Sequence, residues 1–177
     1  SYSVTGVQTC ALPIYDIFVN TENMIIAFAA RMNERGIKPE LECFDKSHID
    51  MALRLVRKGH IHPPLHFNFV LGVNGGAAGT PRDLLFLKES IPEGATFTAT
   101  GIGRCQLEMN VMGMLLGGHV RVGFEDNLKY NRERNGVSNA EFVERIVRIA
   151  KELNLEIATP AEARKILGMP ERVNQSK

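Results

Sequence analysis

An arginine and two adjacent carboxylates leave the same predicted strand: Arg121, Glu125 and Asp126. Neighbouring carboxylates point in different directions, so one could bind a metal ion while the other pairs with the arginine. A buried arginine normally needs such a carboxylate partner. The pattern therefore indicates a metal- and charge-assisted site, with a solvated surface loop as the alternative.

Glycine-rich segments follow two other predicted strands, and Glu42 lies near the carboxyl end of a third. The segment 72–79 contains Gly75 and Gly76 but has no following Gly-Lys-Ser/Thr and misses the dinucleotide spacing, so it is not a nucleotide loop of either type. It is either a tight strand-to-helix turn or a cradle that brings backbone amides to a phosphate or carboxylate. A second glycine pair adds a cation; by itself this pattern favours a plain turn, and substrate binding by Gly103 and Arg104 is the alternative.

The pair His60 and His62 could chelate a metal, since imidazoles at alternate positions can do so. Yet the pair precedes a predicted strand instead of following one, and no carboxylate stands beside it. We therefore interpret both as solvated loop histidines.

Helices and strands alternate in the sequence. Strands are predicted over 39–44, 65–71, 95–100 and 118–122. Helices are predicted over 20–36, 47–59, 106–116 and 159–168, and two more begin at Thr80 and Ser138. This alternation, at a spacing of roughly 25 residues, predicts parallel strands joined by helical crossovers.

Two architectures fit this pattern, an open doubly wound sheet and a (β/α)8 barrel. The clearest strand, 65–71, alternates apolar residues with His66 and Asn68. Central strands of an open sheet are usually apolar on both faces, whereas a barrel strand can point polar groups into the lumen. The sequence therefore favours a (β/α)8 TIM barrel. A complete barrel needs about 250 residues, so only the last four βα units are expected here.

Composition excludes several classes of function. A net charge of +1 and the absence of a basic run argue against a nucleic-acid partner. No apolar run reaches membrane-spanning length. Cys10, Cys43 and Cys105 have neither zinc nor redox spacing, which favours reduced thiols in a cytoplasmic protein.

Several motifs in order resemble one family. The segment 117–127 reads GGHVRVGFEDN, and it is preceded by FVLGV at 69–73 and GIGR at 101–104. It is followed by SNA at 138–140 and ATPAEAR at 158–164. Together they resemble the β-keto acid cleavage enzymes over roughly residues 15 to 169. The resemblance implies a zinc-dependent TIM-barrel enzyme. Such an enzyme converts a β-keto acid, such as 3-keto-5-aminohexanoate, and acetyl-CoA to acetoacetate and a new acyl-CoA by Claisen and retro-Claisen steps.

The resemblance also implies roles for individual residues. Glu125 resembles the family's glutamate zinc ligand, Arg121 its catalytic arginine and Asp126 the aspartate paired with that arginine. Glu42 resembles the acid that contacts a distal amino group of the substrate. The other zinc ligands of the family, a His-x-His pair, are expected in an earlier half, and His60 and His62 do not match them.

The first residues of the chain resemble a sequence that is not part of a protein. Read as codons, VTGVQTCALPI at 4–14 resembles a sequencing adapter, so residues 1–14 are predicted to be non-native. Residues 15–170 are then the C-terminal half of the barrel and 171–177 a tail, in a full-length enzyme expected to form homo-oligomers. The alternatives are a half-barrel that binds a phosphorylated or CoA-like ligand without catalysis, and another metal-dependent aldolase or lyase.

Overall fold

The structure is a computed structural model that describes residues 19–169. The predicted adapter-derived segment 1–14 and the tail 171–177 lie outside these residues. The helices are α1 (Glu22–Glu34), α2 (Lys46–Arg57), α3 (Pro81–Glu89), α4 (Gln106–Leu115), α5 (Asn139–Glu152) and α6 (Pro160–Ile166). The strands are β1 (Leu41–Cys43), β2 (His66–Leu71), β3 (Thr96–Gly101) and β4 (His119–Arg121), and a 3-10 turn (Gly103–Cys105) precedes α4.

The four strands form one parallel sheet in the order β1-β2-β3-β4. This confirms the predicted α/β alternation with helical crossovers. The order runs in sequence with no switch point, whereas a doubly wound sheet reverses its strand order near the middle. Because all strands are parallel, their carboxyl ends meet at one edge of the sheet.

The two faces of the sheet differ in chemistry because the side-chain period of a strand is two. One face carries Phe67, Phe69, Leu71, Phe97 and Ala99, all at most 4% exposed. These residues join one apolar cluster with buried side chains of α2, α3 and α4, such as Leu55, Leu84 and Met109. The helices therefore cover this face, and the core lies between them and the sheet.

The other face is polar on every strand. Pairing places Glu42 beside Asn68, Asn68 beside Thr98, and Thr98 beside His119. One layer further along, Thr100 pairs with Arg121. The predicted split of β2 into an apolar and a polar side therefore extends across the whole sheet.

Three helix starts follow local capping chemistry. Thr80 accepts a hydrogen bond from the Asp83 amide ahead of Pro81, and Thr159 and Glu162 form a reciprocal capping box. The third is α2, which begins at Lys46, one residue before the predicted range 47–59, and the side chain of Asp45 accepts from the Ser47 amide at 3.1 Å. An aspartate at this position satisfies an amide that the helix leaves open.

At α5, Ser138 and Glu141 have the spacing of a capping box, but the box is only half formed. Ser138 accepts from the Glu141 amide at 3.2 Å, as expected. The carboxylate of Glu141, however, accepts from Arg134 and from the Val137 amide instead of the Ser138 amide. A neighbouring guanidinium competes for the carboxylate, so it no longer closes the box.

Of the helices between residues 22 and 166, none is long and apolar enough to cross a bilayer.

Candidate active site at the carboxyl ends of the strands

Arg121 is the last residue of β4 and lies at the centre of the site. Its Nε donates to Asp126 Oδ2 at 3.0 Å and its Nη2 to Asp126 Oδ1 at 2.8 Å. The turn after β4 brings the carboxylate back, because the amides of Asp126 and Asn127 both donate to the carbonyl of Gly123 at 3.1 Å. The result is a two-point ion pair, the geometry that holds a guanidinium most firmly.

Two more carboxylates contact the same guanidinium. Glu125 Oε1 lies 3.3 Å from Arg121 Nη2, and Glu42 Oε2 lies 3.7 Å from Nη1. The three acids differ in exposure: the side chain of Asp126 is 2% exposed, that of Glu42 43% and that of Glu125 85%. The structure thus brings together the four charged residues that the sequence singled out, with Asp126 as the buried partner.

The charges in this cluster do not cancel, because three carboxylates face one guanidinium. Burial raises the pKa of Glu42; Arg121 opposes that rise, and the charges of Glu40, Glu125 and Asp126 add to it. Burial also raises the pKa of Asp126 against the opposing effect of Arg121. The cluster therefore has an excess of negative charge that suits a cation or an ammonium group.

Asn110 holds the backbone of Arg121, and sequence reasoning missed it. Its Nδ2 donates to the carbonyl of Ala99 at 3.0 Å and to that of Arg121 at 3.1 Å, so α4 joins the ends of β3 and β4. The residue is fully buried. One signal was present in the sequence: an asparagine among the apolar residues of α4, QLEMNVMGML.

The loop after β3 supports Asp126 from the other side. The amide of Gly103 donates to the carbonyl of Asp126 at 2.8 Å, and Gly103 has a positive φ of 60°. That amide is therefore already used within the chain. Arg104 is exposed on the adjacent 3-10 turn. Substrate binding by Gly103 and Arg104 stays a prediction.

The glycine-rich segment 72–79 folds back on itself at the end of β2. The amide of Gly72 donates to the carbonyl of Ala77 at 3.0 Å, and the amide of Ala77 donates to that of Phe44 at 2.6 Å. A Cβ on Gly76 would lie 2.8 Å from the Phe44 carbonyl oxygen, so this close approach requires glycine. These contacts support the tight-turn interpretation, and substrate binding by Gly75 and Gly76 stays a prediction.

His60 and His62 lie before β2, at the end of the strand opposite to Arg121. Within residues 19–169, no three His, Cys, Asp or Glu side chains are grouped so as to hold a metal ion. A catalytic zinc normally has three protein ligands. The side chain of Glu125 is exposed, so its carboxylate could be one of these ligands. The other zinc ligands would then have to come from outside residues 19–169.

The fold and the site together define a parallel α/β protein with a charged site at the carboxyl ends of its strands. A sequence profile of the β-keto acid cleavage enzyme family matches residues 3–169. The chain belongs to this family.

Relatives with curated names support the assignment. The chain is 56% identical over 161 residues to a 3-keto-5-aminohexanoate cleavage enzyme of Acetoanaerobium sticklandii and 53% identical to one of Fusobacterium nucleatum. It is 36% identical over 170 residues to a 3-oxoadipate:acetyl-CoA acetyltransferase of Cupriavidus necator. These matches cover 91%, 91% and 94% of the chain but 59%, 58% and 58% of the relatives, so the chain spans less than two thirds of their length.

A solved structure, the apo form of ObcA, is similar with a TM-score of 0.75 and 19% identity. The similarity covers 86% of this chain and 41% of that one. At this identity it shows the fold alone.

Proposed function

We propose that the chain is part of a zinc-dependent β-keto acid cleavage enzyme of the 3-keto-5-aminohexanoate type. The enzyme would convert a β-keto acid and acetyl-CoA to acetoacetate and a new acyl-CoA. In this proposal, residues 19–169 supply four βα units of a (β/α)8 barrel. The sequential strand order, the helices on one face and the polar other face all support a barrel wall whose polar side faces the lumen.

The observation that carries the proposal is the contact of Arg121 with three carboxylates at the carboxyl ends of the strands. Active sites of parallel α/β barrels lie at this end. The two-point pair with Asp126 fixes the guanidinium in one orientation, with Nη1 and Nη2 also turned toward Glu42 and Glu125. A fixed positive group of this kind stabilises charge that develops during the reaction.

The reaction exchanges two acyl groups on one carbon. C2 of the keto acid loses a proton and attacks the acetyl carbon of acetyl-CoA, whose C–S bond breaks to release the CoA thiolate. The thiolate then attacks C3, the bond between C2 and C3 breaks, and the C2 carbanion takes up a proton. The products are acetoacetate, which keeps C1 and C2 of the keto acid, and an acyl-CoA whose thioester carbon is C3. C2 must lose a proton before it attacks, and the Arg121–Asp126 pair is placed to hold the keto acid and help remove that proton. A carboxylate with a raised pKa, such as Asp126, is a better base than an exposed one.

Glu125 is the proposed zinc ligand within the described residues, and the remaining ligands would come from another part of the enzyme. When bound, zinc would act as a Lewis acid at the keto oxygen. The exposed carboxylate of Glu125 lies beside Arg121, and the excess negative charge of the cluster favours a divalent cation.

Glu42 is proposed to recognise a distal amino group of the substrate. Its carboxylate contacts Arg121 only at 3.7 Å, which leaves it available to an ammonium group. The two relatives that are more than half identical carry names with an amino-bearing substrate, whereas the one at 36% is named for 3-oxoadipate. Assembly into homo-oligomers stays a prediction.

The proposal can be tested on a complete enzyme in which residues 19–169 replace the matching segment of the A. sticklandii relative. We expect this chimera to form acetoacetate from acetyl-CoA and 3-keto-5-aminohexanoate, and to contain zinc. We also expect it to prefer that substrate over 3-oxoadipate. A folded chimera that releases no acetoacetate with any β-keto acid would overturn the proposal.

Glu42→Gln in the same chimera is a matched test of substrate choice. We expect it to raise KM for the amino-bearing acid and to leave KM for acetyl-CoA unchanged. An equal change for 3-oxoadipate would assign Glu42 to the general shape of the site instead of amino-group recognition.

A further inference from the structure

Asn68 has a buried amide atom that the fold does not use. The residue lies in the middle of β2 on the polar face and is 1% exposed. Its Oδ1 accepts a hydrogen bond from the Thr100 hydroxyl at 2.7 Å. Its Nδ2 is buried and has no partner among residues 19–169. Because proteins pair nearly all buried polar groups, such an atom calls for a partner from outside this fold.

Turning the amide over would not remove the problem. The Thr100 hydroxyl can donate or accept, so either orientation pairs one amide atom and leaves the other alone. The orientation with Nδ2 unpaired is electrostatically favoured, since Glu42 is the register partner of Asn68 on β1 and adds negative charge at that level. The unpaired atom is therefore a hydrogen-bond donor.

The position of Asn68 relates it to the charged cluster. Glu42 lies on one outer strand and Arg121 on the other, so their contact at 3.7 Å reaches across β2 and β3. Pairing places Asn68 level with Glu42, and Thr100 level with Arg121. The Asn68–Thr100 pair thus lies between the two charged residues on the same face of the sheet.

We infer that Asn68 is a substrate-binding residue whose Nδ2 donates a hydrogen bond to an oxygen atom of the bound β-keto acid. The inference rests on the proposed function. A keto acid whose amino group pairs with Glu42 and whose carboxylate lies near Arg121 would extend across the two central strands. Its oxygen atoms would then pass over the unpaired donor. Thr100 is a positioning residue, because its hydroxyl holds the other end of the amide.

The decisive variant is Asn68→Asp in the complete enzyme. It keeps the shape of the side chain but replaces the donor by an acceptor that repels oxygen. We expect KM for the keto acid to rise about 10- to 100-fold, the scale for losing a hydrogen bond to a charged ligand. KM for acetyl-CoA should change little, whereas the midpoint of thermal unfolding should fall, because the new carboxylate is buried beside Glu42. Thr100→Val should raise the same KM by a smaller factor.

Thr98→Val is the matched control. Thr98 lies on the same face, and its hydroxyl contacts His66 Nε2 at 3.1 Å instead of Asn68. We expect its KM for the keto acid to stay within about twofold of wild type, because the change leaves the Asn68–Thr100 hydrogen bond in place.

Two outcomes would overturn the inference. The first is an unchanged KM for the keto acid in Asn68→Asp, and a lower unfolding midpoint in that variant would then make Asn68 structural only. If Asn68→Asp fails to fold, Asn68→Ser and Thr100→Val replace it, and an unchanged KM in both is the second. Loss of activity in the unsubstituted enzyme would instead contradict the proposed function.

Discussion

The two faces of the sheet carry different side chains: one is packed with apolar residues, and the other carries charged and polar residues. On the helix side, Phe69 is fully buried and stacks on Phe67 and Phe97 at centroid distances of 6.3 and 5.4 Å. On the other side, Arg121 and its three acids form an unbalanced group of charges. Packing without polar atoms stabilises a fold, whereas charges held in a fixed arrangement cost stability and provide binding.

Residues of the polar face differ in how fully their hydrogen-bonding atoms are paired within the sheet. His66, at the lower level of the polar face, is held on both ring nitrogens, by the hydroxyls of Thr96 at 2.8 Å and Thr98 at 3.1 Å. Burial, followed by the charges of His119 and Lys38, lowers the pKa of His66 to about 4, so the ring is neutral. Both ring nitrogens of His66 are thus satisfied within the sheet, whereas Asn68, one layer nearer the strand ends, keeps an amide nitrogen with no partner among residues 19–169.

The largest expected effect is on the apolar face. Phe69→Ala in the complete enzyme should lower the free energy of unfolding by about 3–5 kcal/mol, because it removes a buried ring and leaves a cavity. Urea unfolding followed by circular dichroism measures this. Phe86→Ala is the control, since Phe86 is 52% exposed on α3 and its removal should change stability by no more than about 0.5 kcal/mol. Equal costs for the two variants would contradict the assigned core.

Arg121→Ala should affect turnover more than stability. We expect turnover to fall about 10²-fold or more, the scale for removing one preorganised charge-stabilising group. Zinc content should stay close to wild type, whereas the unfolding midpoint should fall, because the carboxylate of Asp126, 2% exposed, loses its partner. Arg121→Lys keeps the charge but cannot form the two-point pair, so it should recover only part of the activity. Near-normal turnover in the alanine variant would make the cluster a solvated group of charges.

Asp126→Asn comes next. It removes the charge that Arg121 contacts at two points, so we expect a loss of about 1.5–3 kcal/mol, the range for hydrogen bonds to charged groups. Since the side chain of Arg121 is 32% exposed, water recovers part of its solvation and keeps the cost below that of a fully buried pair. Zinc content should not change. A variant as stable as wild type would show that the pair does not contribute to the fold.

Glu125→Ala separates metal binding from stability. Its side chain is 85% exposed, so the unfolding free energy should change by no more than about 0.5 kcal/mol. If Glu125 is a ligand, zinc affinity should fall by at least about 10-fold. Replacing a residue that only hydrogen-bonds to a metal ligand can already cause a loss of that size. Metal analysis after dialysis against a chelator measures this, with Asp126→Asn as the variant expected to keep its zinc.

Much of the fold could be predicted because its signals are local. The alternation of β2 between phenylalanines and polar residues identified both faces, and Thr80 and Thr159 marked two helix starts. Proximity of Glu42 to Arg121 followed from the rule that parallel strands end at one edge. Such rules hold because side-chain period and connection handedness follow from backbone geometry.

The sequence could not predict contacts that depend on a third element. Asn110 reaches the carbonyl of Arg121 only because α4 packs over the junction of β3 and β4. Glu141 left its capping box because Arg134, seven residues earlier, folds back onto it. Likewise, the unpaired amide of Asn68 became visible only once the hydroxyl of Thr100 was located beside it. Each case is a choice between partners that tertiary packing decides.

The smallest expected effect is a pH dependence with opposite signs at two glutamates. The pKa of Glu42 is raised by burial and by nearby acids, so its ionised form costs stability, and that cost appears as pH rises above the ordinary carboxyl range near about 4.3. Glu22 lies on the helix side, where a hydrogen bond from Lys58 and the charge of Arg54 lower its pKa despite some burial. Its ionised form therefore adds stability, which is lost as pH falls through that lowered value.

We expect Glu42→Gln to unfold at a higher temperature than wild type at pH 7 and Glu22→Gln at a lower one. Both differences should shrink toward pH 3, where the carboxyl groups are protonated, and thermal unfolding between pH 3 and 8 measures them. Two differences of the same sign at pH 7 would show that the negative charge around Arg121 is already balanced, and the excess that we assign to a cation or an ammonium group would not exist.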